Sequence, residues 1–215
     1  MSLFSKRKYF PKNSFSRGFS IIELLVTLVI VTTIITTILS SQSTYVDGAA
    51  LSNVADEIGL TISQAQAYGI AVKELTPGSD DFSISYGIAL SKIGEGSNLA
   101  YLFFADRNGN HAYDGSWSCV TGGSEECLEK KNISRGNYID SICIISLSDA
   151  EDCDAVGRVD ISFTRPETEA HIVFFDNSEA PYTPSSLKGA KIVLKSPTGA
   201  SRSVVVYESG HVSVQ

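Results

Sequence analysis

Between Phe19 and Leu39 the chain runs 21 residues in which Glu23 is the sole charge. At about 1.5 Å per residue, an apolar helix of that length crosses the roughly 30 Å hydrocarbon core of a bilayer. Beyond Leu39 the apolar positions thin into a stripe. Leu51, Val54, Ala55, Ile58, Ile62 and Ala65 recur at intervals of three and four, while Asn53, Asp56, Glu57, Gln64 and Gln66 fall between them. That is the period of a helix with one buried face. Together the two patterns predict a single helix from about Ser20 to Ala71, ended by Pro77 and Gly78 in "TPGSDD".

After that break the period changes to short runs. "FSISYGIAL", "LAYLFFA", "YIDSICIISL", "RVDISFT", "AHIVFFD", "AKIVLKS", "SVVVYES" and "HVSVQ" are rich in β-branched and aromatic residues and are separated by turn formers. The last two read as a closing hairpin around Ser209 and Gly210. The predicted fold class is α+β: one long N-terminal helix, half membrane segment and half amphipathic, packed on an antiparallel β-sheet domain. The expected organisation is a leader over 1–18, a membrane or assembly helix over 19–39, its amphipathic continuation over 40–72 and a β-rich domain over 73–215.

Charge adds an orientation. The whole chain carries −7, yet five of its 17 basic residues, Lys6, Arg7, Lys8, Lys12 and Arg17, precede Gly18, where no acid occurs. The remainder therefore has 12 basic residues against 24 acids, a net −12. A basic leader before an apolar run marks the cytoplasmic side, which sends the acidic body across the membrane. A body so acidic, with no basic patch, repels nucleic acid. A secretory signal peptide would have a shorter apolar region, about 7 to 15 residues, ending in a small-residue cleavage site; here the run is longer and continues as helix.

Four cysteines, Cys119, Cys127, Cys143 and Cys153, all lie in the body. An even count in an oxidising compartment favours disulfides, and four cysteines allow three connectivities. The short loops rich in Gly, Ser and acids favour Cys119 with Cys127 and Cys143 with Cys153. The alternative for Cys143, inside "YIDSICIISL", is a buried free thiol. No C-x-x-C spacing supports zinc, and His111, His171 and His211 are scattered, expected to be solvated or hydrogen-bonded.

Glu23 is the anomaly. A carboxylate inside a bilayer costs about 2.5–3.5 kcal/mol on insertion scales and therefore marks a function and a partner. With its setting, "RGFSIIELLV", it resembles the processing motif of type IV pilins and type II secretion pseudopilins. The resemblance covers about 25 residues. It implies cleavage by a prepilin peptidase between Gly18 and Phe19, methylation of the new Phe19 amine, and Glu23 as the carboxylate that pairs with a neighbouring subunit's amine during assembly. "FFADRNGNHAYDG", "ISFTRPETEAHIVFF" and "KIVLKSPTGASRSVVVYESGHVSV" are similar, more loosely, to the minor-pilin subset called GspH/FimT. The insertion "SWSCVTGGSEECLEKKN" and the four cysteines depart from that subset.

The implied partners are other pilin subunits, prepilin peptidase, an inner-membrane assembly platform and, before assembly, lipid. The expected location is the inner membrane, single-pass with the N-terminus inside, and then a pilus or pseudopilus. The alternatives are a pseudopilin of a type II secretion system and a DNA-binding competence pilin. The tail "GHVSVQ", with only Arg202 nearby, argues against the last.

"DRNGNHAYD" offers Asp106, Asn108, Asn110 and Asp114 as oxygen ligands at alternating positions, as calcium loops do. Its glycine falls fourth rather than sixth, and Trp117 stands where a bidentate Glu belongs. The competing reading is a hairpin with Asn108-Gly109 at its tip, between "YLFF" and "AYDG". Trp117 is either a contact residue at a fibre surface or packing under a disulfide. No G-x-S-x-G, phosphate loop or H-E-x-x-H is present, and no serine has a recognisable base beside it. The chain is not expected to be an enzyme, and no cofactor is expected apart from calcium.

Overall fold

The computed structural model describes residues 18–71, 84–94, 96–120 and 125–215. The basic leader up to Arg17 and the "TPGSDD" break lie outside the described residues. Helix α1 is Ile21–Ile70, 50 residues. The chain forms two compact units, Met1–Ser43 and Thr44–Gln215, divided within that helix.

In the first unit the membrane-length segment Ile21–Leu39 has 19 residues, or about 28 Å of helix. Its large apolar side chains are all exposed, from Ile21 at 81% to Ile35 at 50%. An apolar surface of this kind needs lipid or other helices around it.

The second unit is α+β. Its strands are β1 (Ser85–Ser91), β2 (Ala100–Asp106), β3 (Cys127–Asn132), β4 (Tyr138–Ile145), β5 (Glu151–Asp152) and β6 (Val156–Phe163). Then follow β7 (His171–Asp176), β8 (Pro181–Tyr182), β9 (Gly189–Lys195), β10 (Ser201–Tyr207) and β11 (Val212–Val214). They form two sheets, in the orders β3-β2-β1-β6-β7-β8 and β11-β10-β9-β4-β5. Neighbouring strands pair antiparallel throughout, for example Ile88 opposite Ile161 and Val205 opposite Lys191. The closing hairpin turns at Gly210, whose φ of 80° suits a residue without Cβ.

The apolar stripe of α1 faces the sheets. Leu51, Val54, Ala55, Ile58, Ile62 and Ala65 are at most 4% exposed. They share one core with Ile88, Tyr101 and Ile161 of the first sheet and with Ile142, Ile192 and Val204 of the second. Near its end the helix meets β6 so closely that a Cβ on Gly69 would lie 2.3 Å from the Phe163 carbonyl oxygen. Only glycine fits there.

Every residue of β1 and β2 is buried, so both faces of that part of the sheet are covered. One face meets α1. On the other, Ala89, Leu102, Phe104 and Cys127 pack with Tyr113 and Trp117 in a second apolar cluster. The cover is supplied by the connection between β2 and β3. Here the expected hairpin fails: β2 pairs with β3, not with "AYDG", although Gly109 does turn the chain with a φ of 75°. β3, "CLEKKN", was not among the expected strands, because Glu129, Lys130 and Lys131 hide it from an apolar pattern. It is an edge strand, where charges guard open backbone groups.

Replacing Ile58, fully buried in the shared core, by Ala should lower unfolding stability by about 2–5 kcal/mol. The same change at Leu60, 70% exposed on the same helix, should stay within about 0.5 kcal/mol. Urea unfolding of the two variants checks the orientation of the stripe.

Candidate functional site

Two places concentrate unusual chemistry. The first is the start of α1. Gly18, Phe19 and Ser20 precede the helix, and the Ser20 carbonyl accepts the Leu24 N–H at 3.1 Å. Glu23 therefore stands in the first turn, with Phe19 77% exposed just before it. Five threonines follow in the apolar segment: Thr27, Thr32, Thr33, Thr36 and Thr37. Each donates its hydroxyl to a carbonyl three or four residues earlier, at 2.8–3.2 Å. Bonded in this way, a hydroxyl is tolerable in hydrocarbon. Glu23 differs in carrying a charge: when ionised it has only acceptors, and the free donors of its own helix are the N–H groups of the first turn, where it stands.

The second place is the outer face of the first sheet. Three carboxylates buried at 6% exposure or less, Asp106, Glu126 and Asp160, organise the connection lying over it. Asp106 accepts the N–H groups of Gly109 (2.7 Å) and His111 (2.8 Å). Glu126 accepts those of Arg107 (3.1 Å) and Asp114 (2.9 Å), and Asp160 that of Tyr113 (2.8 Å). Charge-assisted bonds of this kind give an irregular loop the donors and acceptors that a strand would find in its neighbour. Burial pushes the Glu126 carboxyl up, and the Asp114 and Arg107 N–H groups pull against it.

Arg158 completes the arrangement. Its Nε lies 3.0 Å from Asp160 Oδ1, and its terminal nitrogen bonds both Asp160 Oδ2 and the Tyr113 carbonyl. The guanidinium sits between aromatic rings, 4.2 Å from the Phe175 centroid and 5.4 Å from that of Trp117. Burial pushes the Asp160 carboxyl up, against Arg158, which favours the charged form. Burial also pushes the Tyr113 hydroxyl up to about 12; that hydroxyl donates to the Ser116 carbonyl at 2.6 Å.

One disulfide, Cys119–Cys127, closes this region, and the other lies at the second sheet. Cys119 is bonded to Cys127 and Cys143 to Cys153, with Cα separations of 5.3 and 3.9 Å. The free-thiol alternative for Cys143 is therefore corrected: it is buried, but it is bonded. Trp117 packs with Cys119 and Cys127 beneath the connection, which makes it a core residue and not a surface contact. Cys143, Glu151 and Cys153 bring ligand-type atoms within 4.8 Å of one another, but both sulfurs belong to a disulfide and offer no thiolate to a metal.

The oxygens proposed for calcium are engaged in hydrogen bonds within the turn. Both Asp106 oxygens hold backbone N–H groups. Asn108 and Asn110 each point the amide nitrogen, not the oxygen, at Asp114 Oδ2, both at 2.7 Å. Their oxygens are fixed by the N–H groups of Asn110 and Ala112 at 3.0 and 2.9 Å, so neither amide can flip without losing a bond. As arranged, these groups form a self-satisfied turn.

Ser162, His111 and Asp106 also meet, but not as a catalytic triad. Ser162 Oγ and Asp106 Oδ2 approach the same imidazole nitrogen, Nδ1, at 3.4 and 3.9 Å. A triad needs opposite nitrogens, and Ser162 is fully buried. His111 instead stacks on His171, centroids 3.9 Å apart; burial and then this second imidazole push His111 below its ordinary value. No known protein family, curated protein or solved structure matches the chain.

The Asp160→Asn variant should lose about 3–5 kcal/mol, because it leaves the Arg158 charge enclosed without its counter-ion. Replacing both, Asp160→Asn with Arg158→Met, should recover a large part of that loss. Urea unfolding of the single and double variants measures the coupling directly.

Proposed function

We propose that this chain is a structural subunit, a minor pilin or pseudopilin, of a type IV pilus-like filament. A prepilin peptidase cuts it between Gly18 and Phe19, and its N-terminal helix carries it into the fibre. The observation that supports this most is Glu23: a lone carboxylate in the first turn of a helix whose membrane-length segment is otherwise uncharged, with exposed apolar side chains.

Cleavage after Gly18 would create an ammonium on Phe19, four residues before Glu23, which becomes the fifth residue of the mature chain. Within one helix that amine, four residues away, only partly meets the carboxylate. Between helices staggered along a fibre, the amine of one subunit reaches the carboxylate of the next. In a dry bundle such a pair attracts far more strongly than in water, although desolvation offsets part of the gain. It acts as a register pin. Subunits repeating in this way form an open, head-to-tail series.

The rest of the chain suits that role. Two disulfides fit an oxidising compartment outside the cytoplasm. The apolar segment is long enough to hold the subunit in lipid before assembly. The acidic body argues against a DNA-capturing subunit, and Arg202 is already bonded to Ser52 at 3.2 Å.

The Glu23→Ala variant is expected to insert in the membrane and be cleaved as the parent is, yet to fall in purified filaments by roughly tenfold or more, the equivalent of about 1.4 kcal/mol. Immunoblots of membrane and sheared-filament fractions measure both. Normal incorporation would remove Glu23 from the assembly mechanism.

A further inference from the structure

Histidines 60 positions apart in sequence meet on the outer face of the first sheet. His111 belongs to the connection after β2 and has a left-handed backbone, φ 64°, secured by its N–H bond to Asp106. His171 is the first residue of β7. Their rings are nearly parallel, 12° apart, and both line an open cleft of about 490 Å³ with Asn110, Glu169 and Glu208. The cleft walls are joined where the Ala170 N–H donates to the Glu208 carbonyl at 2.8 Å.

Each imidazole has an oxygen neighbour on one nitrogen. His171 Nε2 lies 3.3 Å from Glu167. His111 Nδ1 lies 3.4 Å from Ser162 Oγ and 3.9 Å from Asp106. The other two nitrogens, His111 Nε2 and His171 Nδ1, have no partner among the described residues. Metal-binding histidines have one nitrogen held by an oxygen and the other left for the ion; at His171 the oxygen is the Glu167 carboxylate, and at His111 the nearest is the Ser162 hydroxyl.

We propose that His111 and His171 bind a divalent transition-metal ion of the class that prefers imidazole, such as Zn²⁺, Ni²⁺ or Cu²⁺. Nitrogen donors select these ions over calcium and magnesium. The stacked rings must turn about their Cβ–Cγ bonds to bring both nitrogens to one ion. Both side chains are partly exposed, at 30% and 31%, and face the open cleft. Glu169, Glu208 or water fills the remaining positions. An ion held there ties the β2–β3 connection to β7, so it stabilises the folded body in proportion to its occupancy.

The test is a zinc chloride titration of the purified full-length chain in detergent, followed by thermal unfolding, with calcium chloride alongside. The expected result is a melting temperature that rises with zinc and not with calcium. His111→Ala and His171→Ala should each abolish the rise, and His211→Ala should leave it intact. Copper(II) bound to the parent should give an electron paramagnetic resonance spectrum with two imidazole nitrogens, one of which is lost in either single variant. No rise at millimolar zinc, or a rise that survives both single replacements, overturns the proposal.

Discussion

A polar group removed from water must find a partner, and this requirement shapes the chain from one end to the other. Along the membrane-length segment, five threonine hydroxyls bond back to the helix that bears them. Behind the first sheet, three buried carboxylates collect the N–H groups of a loop that has no strand to pair with. The Asn137 amide is a buried exception in the body, with neither end bonded. Glu23 is the exception in the helix. On the proposed reading its partner comes from a neighbouring subunit, and that need drives assembly.

The body is built so that the helix is not alone in covering the sheet. A sheet with one face on a helix usually leaves the other to water. Here the β2–β3 connection, with Tyr113 and Trp117, covers the second face of β1 and β2. Its grip is partly covalent, through Cys119–Cys127, and partly electrostatic, through Arg158 between two rings and against Asp160. The same connection carries His111 to β7, so one irregular segment both completes the core and assembles the cleft.

What could be read in the sequence followed from periodicity. The helix stripe was legible because six apolar residues repeat at helical spacing, and all six are buried. Most strands were legible as β-branched runs. β3 was not, because an edge strand shields its backbone with charge instead of an apolar face. The division into two sheets was also hidden, since strand order depends on contacts far apart in the chain. The Asn108-Gly109 turn was legible, but its hairpin was not: the turn's oxygens bond locally, while the pairing of β2 is settled by a strand beginning at Cys127. The His111–His171 contact leaves no local trace at all.

The central claim is that a freshly made ammonium at Phe19 is what Glu23 meets. An intact-mass and N-terminal peptide spectrum of the protein isolated from its own cells tests this most directly. The account predicts a chain that starts at Phe19 with one added methyl group on its amine. A chain that still starts at Met1, in cells whose processing peptidase is active, would contradict it.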